Sequence, residues 1–393
     1  MREGIVMKRA LKLFLISGLI ISTTGTTIHG STQTKLDDIS AIAQNAPKYL
    51  LGVDKSEWKD VTSFNKKPLF NFNGNLVAYS VDIKSNISGK EGYIIISATD
   101  ENSPILEFSQ DHTSPFDIVN TNQECIYDGA ISYYLKGNQS LNENSDNNYY
   151  DIQSKSALSQ DEVKAHKEAN LSKKYVSSAP KKSKAEREKL IVGSVGSLTA
   201  GQSVSTTIEI ESNNTTSTLL GVPDYEWRDG CSPTAAAMVL KYDYYSVLST
   251  VSSTLLIDQL AKAMSTNTNY GTKDYGKTSS PNIPVGINAV MNNLYGTKVN
   301  AYNEGSGGTN TSTFAKFVNE INNARPLLVN LVDCMVRTPE YPTGFGEHSV
   351  TGVGYDVTSY SNYIIVHDTA VEGNVYVNYE SALLGVPTFT YIH

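Results

Sequence analysis

The chain has 393 residues, 39% hydrophobic and 18% charged, with a net charge of −8 and three cysteines. That length is long for one domain and comfortable for two. From residue 200 onward nine basic residues stand against seventeen acidic ones, which argues against nucleic acid or anionic lipid as a partner, because both favour a basic face.

Arg2, Lys8, Arg9 and Lys12 make the first twelve residues basic, and the apolar run LFLISGLII follows at 13–21. Small and polar residues come next. This layout predicts a secretory signal peptide over 1–30, hence a secreted protein, and the run is too short for a stable membrane span. No later stretch reads as an integral membrane segment.

Residues 35–150 read as a small α+β domain. LDDISAIAQNAPKYLLG has helical spacing and stops at Gly52; LVAYSVDI, GYIIISA and ILEFS follow as strands of a meander separated by turn residues. NQECIYDGAISYYLKG, near 122–136, is expected to be helical, with Cys125 used for packing. Residues 151–215 form a basic polar stretch, expected as a solvated helix or flexible linker, with ten basic and five acidic residues between 154 and 190. Such stretches are where proteases cut.

Residues 216–393 carry the chemistry. Cys231 stands before Ser232-Pro233, where Ser caps a helix and Pro fits its first turn, and TAAAMVLKYDYY continues as helix. Backbone N–H groups and the dipole at such a position favour a thiolate. Three cysteines leave at least one unpaired; Cys334 lies in a strand-like run, ARPLLVNLVDCMV, and a bridge from Cys231 to Cys125 or Cys334 stays open. A thiolate nucleophile calls for an imidazole that is distant in sequence. His348 opens a strand, HSVTGVGY, after Gly344 and Gly346. His367 adjoins Asp368, and alternation sends those two side chains to opposite faces. The turn DVTSYSN brings His348 and Asp368 to the same end of two antiparallel strands, so Asp368 can orient the imidazole.

GCSPTAAAMVLKY, EHSVTGVGYDV and VHDTA together resemble a papain-like cysteine peptidase, similar to the secreted bacterial relatives of the double-glycine leader peptidases. The resemblance implies a papain-like domain over 216–393, with a helical side carrying Cys231 and a twisted antiparallel sheet carrying His348 and Asp368. GYIIISA and PILEFS are similar to strands in the propeptide of streptopain-like peptidases, which implies that residues 35–215 act as an inhibitory pro-region of a zymogen. One departure stands out: no glutamine lies between 203 and 231 to hold the oxyanion. The nearest side-chain donors are Tyr225, Trp227 and Arg228, with Tyr225 the candidate. The expected partners are a peptide or protein substrate and the chain's own pro-region, with no metal or organic cofactor. A cell-wall amidase or acyltransferase with the same three residues, or a silent binding module, remain alternatives.

Overall fold

Alternating apolar residues build most of the N-terminal half. The structure, a computed structural model, describes residues 33–50, 52, 54–119, 123–137, 149–172, 180–193, 215–270, 275–304, 310–332, 347–381 and 386–393. The expected signal peptide, Cys334, Gly344 and Gly346 lie outside the described residues. α1 (Leu36–Asn45) buries Ile39, Ile42 and Ala43 on one face. α2 (Lys55–Trp58) starts where Asp54 accepts a hydrogen bond from Ser56 N. β1 (Val61–Phe70), β2 (Leu76–Ser85), β3 (Glu91–Ser97) and β4 (Ile105–Ser109) form the meander, each antiparallel to the next.

The segment expected as a helix near 122–136 is instead a hairpin, β5 (Glu124–Tyr127) and β6 (Tyr133–Lys136). Asp128-Gly129 breaks the run, with φ 141° at Gly129 and 58° at Ile131. Those angles turn a chain and cannot continue a helix. Cys125 is buried and unpaired, as packing alone requires.

The polar stretch after 150 is more tied down than a solvated helix or flexible linker. β7 (Tyr149–Asp151) and β8 (Ser156–Ala157) pair as a hairpin, and α3 (Gln160–Ser172) and α4 (Pro180–Val192) follow. α3 holds its place through polar side chains: buried His166 Nδ1 meets Asp128 Oδ2 at 2.7 Å, and its ring stacks on Phe72 with centroids 4.3 Å apart. In α4 the buried Arg187 donates to Thr34 Oγ1 at 2.9 Å and to Thr99 O at 2.6 Å. Buried polar and charged side chains bonded to distant parts of the chain replace an apolar face.

The C-terminal half runs β9 (Thr215–Thr218), α5 (Cys231–Asp243), α6 (Tyr245–Leu248), α7 (Ser253–Ala263), α8 (Asn282–Ala289), β10 (Ala301–Glu304), α9 (Asn310–Asn322), β11 (Leu327–Val332), β12 (Glu347–Val357), β13 (Asn362–His367), β14 (Val375–Asn378) and β15 (Val386–Ile392). β12 lies between β11 and β13, antiparallel to both. Its pairing with β13 skips Val353, a bulge that bends the strand bearing His348. Ala235–Leu240 of α5 pack with α7, α8, Leu328 and Ile392 in a helical layer against the sheet. The two halves share one sheet, because β14 pairs with β4 through Tyr376–Phe108 and Val377–Glu107. At this coarse level the architecture is a mixed α/β fold, many-stranded sheet plus helices, consistent with the papain-like superfamily.

Candidate active site

α5 begins at Cys231 because Gly230 turns the chain there, with φ 141° and ψ 147°. Side chains avoid that backbone region. A Cβ at position 230 would lie 2.7 Å from Gly276 O and 2.9 Å from Thr266 Cγ2. Ser232 is not the cap: the helix starts one residue before it, and its hydroxyl is left for other work. Thr234 ties the turn from inside, its Oγ1 lying 2.8 Å from Gly230 O and 3.1 Å from Arg228 O. Trp227 N donates to Thr369 O at 2.8 Å, which joins this loop to the turn after Asp368.

The sulfur of Cys231 accepts a hydrogen bond from Ser349 N at 3.4 Å. Cys231 is therefore seated against the start of β12, one residue from His348. Its thiol is unpaired. Burial pushes the thiol up from its ordinary value, and the Asp151 carboxylate adds to this. Ser349 N–H and the hydroxyl and N–H of Ser232 pull the other way. The helix start was expected to favour the thiolate; in this form burial outweighs it.

His348 is 8% exposed. Burial pushes its imidazole down to about 4, partly offset by the backbone carbonyl of Asp368. Its Nε2 lies 3.1 Å from Nε2 of Gln153, in the turn between β7 and β8. The same amide nitrogen donates to Asp368 O and, at 2.9 Å, to Thr369 Oγ1. The amide has two protons for these three acceptors, so one is shared; an amide nitrogen only donates, so in this contact His348 Nε2 accepts and the ring proton resides on Nδ1. With its lone pair engaged, the imidazole has none free for the thiol proton. Asp151 holds the Gln153 turn by accepting from Gln153 N at 2.8 Å and Ser154 Oγ at 2.8 Å.

Asp368 is fully buried at the end of β13. Its Oδ1 accepts from Ala370 N at 2.9 Å and Val371 N at 3.1 Å, closing a turn in which Thr369 has φ 66°. Oδ2 has no partner among the described residues. Burial pushes this carboxyl up to about 7, and Glu107 and Asp224 push it further the same way. Glu107 is buried in β4 and accepts from Tyr93 Oη at 2.6 Å, from Tyr133 Oη and from Ile131 N at 3.0 Å. The Asp368 main chain is thus joined to His348 through the Gln153 amide, while the Asp368 carboxylate serves the turn. His367 points elsewhere, donating from Nδ1 to Pro223 O at 3.0 Å. Tyr225 packs half-buried against the helical layer, and its N–H donates to Met238 Sδ at 3.3 Å. Among the described residues no cluster of His, Cys, Asp or Glu is suited to hold a metal ion.

Gln153, Ser232 and Ser349 escaped the sequence reading. Nothing in the polar run around 153 marks one glutamine above its neighbours; Ser232 looked like a cap and Ser349 like an ordinary strand residue.

With the geometry in place, the family comparison adds the class. Residues 207–385 match the Peptidase_C39 like family. The chain carries a domain of the cysteine peptidase superfamily there, and by class it is a cysteine-type peptidase, a hydrolase. No curated protein matches the chain.

Proposed function

We propose that the chain is a secreted peptidase made as a latent zymogen, in which Cys231 is the nucleophile, His348 the base and Asp368 the residue that fixes the imidazole. The observation that carries this is the hydrogen bond from Ser349 N to the Cys231 sulfur, which holds the thiol one residue from His348. In the active form His348 takes the thiol proton, and the thiolate attacks the peptide carbonyl. The imidazolium then protonates the leaving amine. Water hydrolyses the thioester and restores the thiol. The backbone N–H of Cys231, at the start of α5, faces the developing oxyanion.

Latency is supported by Gln153, whose amide engages the lone pair that His348 needs as a base. It is supported also by the protonation states: a raised thiol and a lowered imidazole are both neutral near pH 7, so no ion pair forms. Cleavage within the polar stretch before 215 would release the β7–β8 turn. The test is intact-mass analysis of the full chain beside Cys231→Ala, with casein as substrate. The wild type is expected to lose its N-terminal half and then degrade casein, and Cys231→Ala to do neither. Release of peptides from cell wall with casein untouched would replace the peptidase reading by an amidase. Identical behaviour of the two proteins would end both.

A further inference from the structure

The side chain that restrains His348 also bears on what the site accepts. Gln153 comes from the turn between β7 and β8. Its amide nitrogen is received by Asp368 O, by Thr369 Oγ1 at 2.9 Å and by His348 Nε2 at 3.1 Å. All three acceptors belong to the C-terminal half. An amide nitrogen carries two protons, and the carbonyl of Asp368 and the hydroxyl oxygen of Thr369 converge on it as a matched pair.

The C-terminal half sets this pair by itself. Thr369 is 2% exposed and has φ 66°. A β-branched side chain is rarely found there, and such strain persists only where the surroundings over-determine it. They do so from both sides. Asp368 Oδ1 accepts from Ala370 N at 2.9 Å and Val371 N at 3.1 Å, and Thr369 O accepts from Trp227 N at 2.8 Å. None of these bonds involves a residue before 215. They outlast a cleavage that frees the β7–β8 turn, and the two acceptors then border the space beside His348 that Gln153 gives up.

We propose that Asp368 O and Thr369 Oγ1 form a subsite that reads a primary carboxamide, and that the substrates are polypeptides with a glutamine flanking the scissile bond. The inference rests on the reading of Cys231 and His348 as nucleophile and base. In the active form the imidazole turns its lone pair to the thiol, and two acceptors remain for the two protons of one amide. A glutamate in the same place has no proton to give near pH 7 and sets negative charge against both oxygens. A methionine matches the size and leaves both acceptors unpaired. Thr369 is thus a specificity-determining residue.

The experiment maps by mass spectrometry where the self-processed wild type cuts casein. It then compares kcat/KM on peptides that differ only in Gln, Glu or Met at the flanking position. Glutamine is expected beside the cut bond, favoured over the other two about a hundredfold. Thr369→Val removes one acceptor at the same size and is expected to lower the Gln-to-Met ratio about tenfold; Thr369→Ser keeps the hydroxyl and should retain the ratio. A merely structural role for Thr369 would slow both peptides and leave the ratio alone. Cleavage indifferent to glutamine, or an unchanged ratio in Thr369→Val, overturns the proposal. Where Thr369→Val does not fold, or the wild type leaves casein intact and the peptidase reading fails, binding decides. In the full chain carrying Gln153→Ala and Cys231→Ala the subsite is vacated. N-acetylglutamine methylamide is expected to raise its unfolding temperature, and N-acetylglutamate methylamide is not. Equal shifts with the two probes, or no shift with either, overturn the subsite.

Discussion

Gln153 and Gly230 each hold the site in its present state, and they do so by different physics. Gln153 acts through one amide group whose two protons are shared among His348, Asp368 and Thr369. Gln153→Ala removes these contacts and frees the imidazole lone pair. Each such hydrogen bond contributes about 1 kcal/mol net, so self-processing and labelling of Cys231 are expected to quicken about tenfold or more. Gln153→Glu keeps the size and loses the donor, and should quicken processing as well. If either variant matures at the wild-type rate, timed by gel, the glutamine does not restrain the site. Gly230 acts through space and backbone angle. An alanine there meets Gly276 O at 2.7 Å and must adopt φ 141°. That strain is of the order of 1–3 kcal/mol. Gly230→Ala is expected to lower casein turnover more than tenfold and to reduce thermal stability. Full activity in that variant would show that the turn before Cys231 tolerates relaxation.

At the scale of elements, the parts legible in the sequence were those built on periodic apolar residues. β2, β3 and β4 fall within a few residues of LVAYSVDI, GYIIISA and ILEFS, and β12 opens beside His348 as its glycine-flanked pattern suggests. The hairpin β5–β6 was misread because tyrosine and isoleucine at close spacing suit either period, and only the Asp-Gly turn decides. β1 was missed because NKKPL interrupts its alternation. α4 was underestimated for a deeper reason: its stability comes from polar groups whose partners lie far away in the chain, which no local pattern reveals. Arg187 bonds Thr34 and Thr99, and Glu186 accepts from Ser361 Oγ at 2.8 Å. The same limit hid Gln153. It follows that Arg187→Ala should cost more than an exposed arginine would. It takes one hydrogen bond from Thr34 Oγ1 and one from Thr99 O, at about 1 kcal/mol each. The expected result is a lower midpoint in urea and faster hydrogen exchange in α1 and α4, read on Cys231→Ala to prevent self-processing. An unchanged midpoint would mean that α4 docks without this arginine.

For the molecule as a whole, one sheet running through both halves buries acids where the halves meet. Asp368 faces Glu107 across the join, and Glu186 of α4 reaches the turn between β12 and β13. Burial pushes Asp368 up from 3.8 to about 7 and Glu186 up from 4.5 to about 7. Asp243, at the end of α5, is likewise pushed by burial from 3.8 to about 7. For a raised carboxyl the folded chain binds more protons than the unfolded one, so stability falls as pH rises. That contribution is complete below about pH 4 and is lost as pH climbs through about 7. His348 opposes it: burial lowers its imidazole from 6.5 to about 4, so its contribution grows as pH rises across that window. Three acids outweigh one imidazole. Thermal unfolding of the full-length Cys231→Ala protein is therefore expected several degrees higher at pH 5 than at pH 8. Glu186→Gln, already neutral, should shrink that difference by removing one of the three acids. The join is thus weakest in mild alkali, and limited proteolysis between 150 and 215 should be faster at pH 8 than at pH 5 for a protease of equal activity at both. A higher unfolding temperature at pH 8 would overturn the assignment of raised carboxyls to these acids.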